Sequence, residues 1–437
     1  MARSCVQGIT RFLNSLPGSA IPLAFAPDTP RYFRAVDAGG GNVVLSWVAP
    51  LSDGARGDPA TGYVVYQSNN GYGFGAPIVL GNVLTTTITD VPIGETRYFR
   101  VAATNAGGES MPTEVLAVRR PAEGVASVLL VNGFDRLRRQ INPVQTFTQP
   151  EAYAGLSIER QIWRRSNSFD YVVQHAEALA ACDWGFSSCS NEAVADSYLQ
   201  LGGFDFVVWI LGTESTEDLV LSASEQNRLT TFLGQGGGLF ISGADLAYDL
   251  INQSHGATFA QNTLQIGFQA DSAGTYQAVG AAGSILADIA EFGFSVASGA
   301  PYDVRTPDVL TARPGAYACL NYVGGTGGVA GVQYIGATYN VVSFGFPFEA
   351  IGSASVRAAV MQRVMEFLAN FTPPSQFDYN HDGKVDVTDF AIFRFCLRGP
   401  GLTYNVGHVC LNEDGDGDRD VDIADFRAMQ LDINSPE

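Results

Sequence analysis

Residues 378–390 read DYNHDGKVDVTDF and residues 414–426 read DGDGDRDVDIADF, two copies of one pattern 36 positions apart. In the first copy Asp378, Asn380, Asp382, the carbonyl of Lys384, Asp386 and Asp389 fall at positions 1, 3, 5, 7, 9 and 12 of a twelve-residue loop, with Gly383 at position 6 for the sharp turn. The second copy places Asp414, Asp416, Asp418, the carbonyl of Asp420, Asp422 and Asp425 at the same positions. Calcium takes about six to eight oxygen ligands in a flexible shell, and this spacing wraps such a set around one point. The pattern therefore predicts Ca2+ in each loop, two ions in all. Arg419 replaces the glycine of the second loop and must accept a left-handed backbone, a strain of about 1 kcal/mol. A merely solvated acidic tail does not account for two loops in register, each followed by a phenylalanine, Phe390 and Phe426.

The loops lie in a tail, residues 373–437, that carries 13 acidic against five basic residues. Paired twelve-residue loops closed by aspartate, each followed by one helix, resemble a type I dockerin over about residues 376–434. That resemblance implies a small all-α, EF-hand-like calcium module that plugs into a cohesin-like or cell-surface protein. The family reads its partner with loop positions ten and eleven, often Ser-Thr. Here they are Val387-Thr388 and Ile423-Ala424, which puts ordinary cohesin specificity in doubt. Cys396 and Cys410 flank residues 397–409, and Cys182 and Cys189 flank residues 183–188. Both pairs are expected to form local disulfides, and with no CxxC or His-rich zinc pattern they point to an extracellular or cell-surface location. Cys5 and Cys319 are expected to be buried thiols.

Upstream, residues 27–121 hold short alternating runs between Gly, Pro and Asn turns: NVVLSWV at 42–48, YVVYQ at 63–67, TTTITDV at 85–91 and RYFRVAA at 97–103. Such runs predict an all-β, immunoglobulin-like sandwich. Trp47, the Tyr63 and Tyr66 strand, and residues 98–110 with Tyr98 as corner tyrosine resemble a fibronectin type III domain. The letters Arg56-Gly57-Asp58 sit in the loop after Trp47 and are read as chance. From 122 to 372 the pattern changes to continuous apolar runs, SVLLVNG at 127–133, FDFVVWILG at 204–212 and GLFISG at 238–243, separated by helical stretches. Apolar strands alternating with helices predict an α/β three-layer parallel sheet. The phrases at 210–214 and 239–244 resemble the flavodoxin-like core of class I glutamine amidotransferase domains, with Ala244 where that family's nucleophilic cysteine would stand.

Ligands of such sheets gather beyond the carboxyl ends of the strands. Those ends carry Asp135, Glu214, Asp245 and Glu349, and the first three are expected on one edge, a carboxylate set suited to acid/base hydrolysis of a glycan. His175, in the helical stretch 169–181, is a weaker candidate base. With no cysteine at Ala244 and no G-x-S-x-G elbow, no complete catalytic constellation is legible. The balance of 25 basic against 44 acidic residues, net charge −19, argues against nucleic-acid or anionic-membrane partners. No apolar run is long enough to span a membrane. In the N-terminal segment, residues 1–26, Asn14, Ser15, Pro17 and Gly18 break up the apolar core a signal peptide needs. Residues 2–16 carry Val6, Ile9, Phe12 and Leu13 at helical spacing and weakly resemble the closing helix of an N-acetylmuramoyl-L-alanine amidase. The expectation is a secreted modular accessory or adhesion protein of polysaccharide or cell-wall processing, attached through its calcium-binding tail. Two alternatives stay open: the C-terminal part of such an amidase, and a glycan-binding or glycoside-hydrolysing α/β domain.

Overall fold

The computed structural model describes residues 2–53, 56–122, 126–142, 144–160, 167–370, 377–380, 385–405 and 408–433. The chain forms two compact units. One holds Met1–Glu214 with Ser295–Asp303 and Phe348–Ala358; the other holds Ser215–Phe294, Val304–Pro347 and Ala359–Glu437.

The first unit opens with α1 (Ala2–Asn14), whose Val6, Ile9 and Phe12 are exposed. Two antiparallel sheets follow. Strands β1 (Arg31–Asp37), β2 (Val43–Val48) and β5 (Thr85–Ile88) form one, in the order β1-β2-β5. Strands β3 (Gly62–Ser68), β4 (Ile78–Leu80), β6 (Thr96–Asn105), β7 (Gly108–Glu109) and β8 (Leu116–Arg119) form the other, with β6 pairing β3, β7 and β8. Burial in β2 alternates residue by residue, so Val43, Leu45 and Trp47 enter the core, as the period-two pattern requires. The Trp47 and Tyr63 rings meet at 5.3 Å between the sheets. The immunoglobulin-like sandwich is thus present.

Strand β9 (Val128–Asn132) lies between two parallel neighbours, β12 (Phe186–Ser190) and β13 (Phe206–Gly212). Every residue of the three is buried, which explains the continuous rather than alternating apolarity of β9 and β13, whereas β12 reads FSSCS. A small hairpin, β10 (Val144–Thr146) with β11 (Ser157–Glu159), and the helices α2 (Val172–Ala181) and α3 (Asn191–Ala195) complete this part. The outer edge of β12 pairs antiparallel with β1, Arg34 opposite Cys189 and Ala35 opposite Ser188. Sandwich and parallel strands therefore share one hydrogen-bonded sheet.

In the second unit α4 (Ala223–Gly234) starts at Ser222 with a full capping box to Glu225 and leads into β14 (Gly238–Gly243). Strand β14 pairs in parallel with β21 (Asn340–Phe344). Between them run a π-helical turn (Tyr248–Asn252), α5 (Ala257–Asn262) and the strands β15 (Ile266–Ala270), β16 (Gln277–Gly280), β17 (Phe292–Gly293), β18 (Val309–Ala312), β19 (Ala316–Tyr322) and β20 (Val329–Ile335). Among the described residues the pairings within β15–β20, and that of β20 with β21, are antiparallel. This corrects the parallel sheet expected for residues 122–372: the apolar runs mark parallel strands, and the strands β15–β20 between them turn back on one another. Helix α6 (Ala354–Ala369) follows, and the tail adds α7 (Val387–Phe393) and α8 (Ile423–Asp432). The tail has its own core of Phe377, Val385, Phe393, Tyr404, Val421 and Met429.

The Cys396–Cys410 disulfide is formed inside that core. No disulfide joins Cys182 and Cys189, contrary to expectation. Cys182 closes α2 with its thiol on the Ala358 carbonyl at 3.3 Å, whereas Cys189 lies within β12, fully buried opposite Arg34. Strand pairing, not the short sequence separation, decides where Cys189 points. Cys319 is buried as expected, but Cys5 is exposed on α1.

Candidate functional site: acidic loops and strand-end carboxylates

In the second acidic loop the Asp414 carboxylate accepts from the N–H groups of Gly417 and Arg419, both at 2.7 Å. Asp416 accepts from the Asp418 N–H and Asp418 from the Asp420 N–H. Asp425, fully buried, accepts from Gly415 and Asp416 at one oxygen and from Asp422 at the other, while Asp422 caps α8 through the Ala424 N–H. The first loop repeats this frame 36 residues earlier. Asp389 accepts from Tyr379 and Asn380 at one oxygen and from Asp386 at the other, and Asp386 caps α7 through the Thr388 N–H. Asp378 is buried at the start of this loop; Asp382, Gly383 and Lys384 lie outside the described residues.

Carboxylate oxygens of Asp414, Asp416 and Asp425 come within 4.8 Å of one another, as do those of Asp420, Asp422 and Asp425. Asp420 hydrogen-bonds Gly401 through one oxygen; the other is buried without a partner among the described residues. An all-oxygen set of gathered carboxylates fits a hard divalent ion better than zinc or another soft metal. Arg419 sits at φ +72°, the left-handed backbone its place in the loop demands. Arg419→Gly is expected to keep the N–H bond to Asp414 while relieving that strain, raising the urea midpoint of the tail by the equivalent of up to about 1 kcal/mol.

Each strand-end carboxylate has partners within its own unit. Glu214, just beyond β13, accepts the backbone N–H groups of Asp135 at 3.0 Å and Arg136 at 2.7 Å. Gly212 makes the turn possible: it sits at φ +53°, and a Cβ there would stand 2.0 Å from the Phe134 ring. Asp245 belongs to the second unit, where it accepts the Thr306 hydroxyl at 2.8 Å and groups with Asp271 and Asp308. The Ala244 carbonyl accepts the Asp308 N–H.

His175 is sealed in the core. Its Nδ1 faces the Tyr171 carbonyl at 3.1 Å and its Nε2 stands 4.0 Å from Glu349, whose other oxygen accepts the Tyr302 hydroxyl at 2.5 Å. Burial drives the His175 imidazole down to about 3 and pushes the Glu349 carboxyl up to about 7. A histidine with no solvent access is not placed to act on a substrate. Sequence reasoning also missed a cleft of about 370 Å³ lined by Arg31, Tyr32, Glu114, Ser190 and Glu192. Burial raises the Glu114 carboxyl there to about 8. Nothing in the local sequence marks Glu114, which leads into β8, a strand that pairs with β12.

No family model matches the chain. Solved structures with a similar fold include several domains of titin (29% identity over 21% of this chain and 31% of that one, TM-score 0.19). Others are the twitchin kinase region of C. elegans (27%, over 28% and 19%, TM-score 0.20) and the FN5 domain of Drosophila Lar (19%, over 22% and 99%, TM-score 0.19). The chain spans about a third or less of the titin and twitchin chains it matches. These neighbours are fibronectin- and immunoglobulin-like domains. Among the described residues no helix is long and apolar enough to cross a membrane.

Proposed function

We propose that this is a secreted modular accessory or adhesion protein whose dockerin-like tail binds two calcium ions and, once ordered, docks to a protein partner. The single observation that carries the reading is the hydrogen-bond frame of Asp386 and Asp389, repeated by Asp422 and Asp425. The frame positions each loop's ninth and twelfth residues, and calcium would be held by Asp378, Asn380, Asp382, Asp386 and Asp389 with the Lys384 carbonyl, and by Asp414, Asp416, Asp418, Asp422 and Asp425 with the Asp420 carbonyl. Bound ions would neutralise carboxylates that otherwise repel one another across each loop.

Loop position ten supports an apolar partner face: Val387 and Ile423, one per repeat, are 78% and 70% exposed. The Cys396–Cys410 bridge supports an extracellular or cell-surface setting. The fibronectin type III identity of the sandwich and a flavodoxin-like ancestry of the parallel strands belong to the same proposal, with β9, β12 and β13 supporting the second. Calcium titrated into the chelator-treated full-length chain is expected to raise its helical circular dichroism as α7 and α8 lock. A titration without any spectral or calorimetric response would overturn the reading.

A further inference from the structure

We propose that Asp245, Asp271 and Asp308 bind one hard divalent cation in the second unit, at a site independent of the acidic tail. The fold assembles the three from distant segments. Asp245 follows the carboxyl end of β14, where ligands of parallel strands collect. Ala270 of β15 pairs with Val309 of β18, so the antiparallel register sets Asp271, one residue after β15, beside Asp308, one residue before β18. The Asp308 N–H donates to the carbonyls of Ala244 and Gly345, which ties this corner to the end of β14. A carboxylate oxygen from each of the three lies within 4.8 Å of the others.

Asp308 supplies a second, separate observation. It is fully buried, and one of its oxygens accepts from the Ala247 and Tyr248 N–H groups at 2.7 and 3.0 Å. The other oxygen is buried with no hydrogen-bond partner among the described residues, and no arginine, lysine or histidine pairs with Asp308 or Asp271 there. A buried carboxylate oxygen left bare beside two further carboxylates lacks a positive partner, and a cation supplies one. The Thr306 hydroxyl steadies Asp245, and exposed Asp271 opens the group to solvent, so an ion can enter and leave. Carboxylate-only donors select calcium or magnesium over softer metals; magnesium would keep several of its waters in so open a set.

The test is metal uptake by the full-length chain in equilibrium dialysis, with calcium alone and with magnesium alone. Asp245→Asn with Asp271→Asn is compared with the unaltered chain. The double variant is expected to bind one ion fewer per chain with at least one of the two metals, whatever number the tail loops take up. A loss of that one ion with magnesium only assigns magnesium. Because Asp271 is exposed, its single Asn variant serves as a folded control, expected to weaken the same ion about tenfold or more. Equal uptake and equal affinity across unaltered chain and variants would overturn the site and show three acids that share protons instead. Since only a difference of one ion is read, failure of this site and failure of the tail sites give different counts.

Discussion

Asp425→Ala is expected to unfold the second half of the tail and to abolish calcium uptake by its loop. The carboxylate is fully buried and is the acceptor for three backbone N–H groups, those of Gly415, Asp416 and Asp422. The Asp422 donor is buried and those of Gly415 and Asp416 are part-buried; a buried donor left without an acceptor costs about 1–3 kcal/mol and a part-buried one less, so the loss is on the order of 3 kcal/mol before any metal term. A module of this size has little more stability than that to lose. Full-length protein carrying the substitution should lose the helical signal of α8 and the calcium response of one loop. Asp416→Ala provides the contrast: among the described residues its side chain accepts only the Asp418 N–H, at 3.3 Å, so it should weaken calcium binding while leaving the apo fold within about 1 kcal/mol. Equal destabilisation by the two substitutions would contradict the role given to Asp425.

Glu349→Gln is expected to stabilise the first unit at about pH 8 and to leave it unchanged near pH 4. In the folded chain burial raises the Glu349 carboxyl to about 7 from its ordinary value of 4.5. A group with a raised folded value contributes stability that is fully present below about pH 4.5 and is lost as pH rises through about 7. That loss amounts to up to about 3 kcal/mol. Glutamine keeps the acceptor for the Tyr302 hydroxyl without the charge, so the variant should lack the alkaline decline. His175 runs the other way: held at about 3, it contributes stability present above about pH 6.5 and lost as pH falls through about 3. Urea unfolding of the variant and the unaltered chain at several pH values checks this. The difference between them cancels Glu114 and Asp308, which also titrate in the folded chain. A variant no more stable than the unaltered chain at about pH 8 would contradict a buried, ionising Glu349.

Features held by local contacts were legible in the sequence. The repeated frame of the two loops could be read because its carboxylates bond backbone N–H groups within twelve residues. The strands 128–132 and 206–212 announced themselves because burial on both faces forces an unbroken apolar run. What escaped depends on partners far along the chain. The pairing of Ala35 with Ser188 joins segments about 150 residues apart, and it is this pairing that turns Cys189 inward and away from Cys182. Asp271 and Asp308 meet through the β15–β18 register, between strands of five and four residues that are too short to show a readable period. Tyr302 reaches Glu349 from an irregular segment with no pattern of its own.

Both acidic loops are proposed as calcium sites built on one repeated frame. The most direct measurement is a crystal structure of the chain grown with calcium, with an anomalous difference map over the tail. The account predicts a peak in each loop, one among oxygens of Asp378, Asn380, Asp382, Lys384, Asp386 and Asp389, the other among those of Asp414, Asp416, Asp418, Asp420, Asp422 and Asp425. Ordered loops without a peak in either would contradict it.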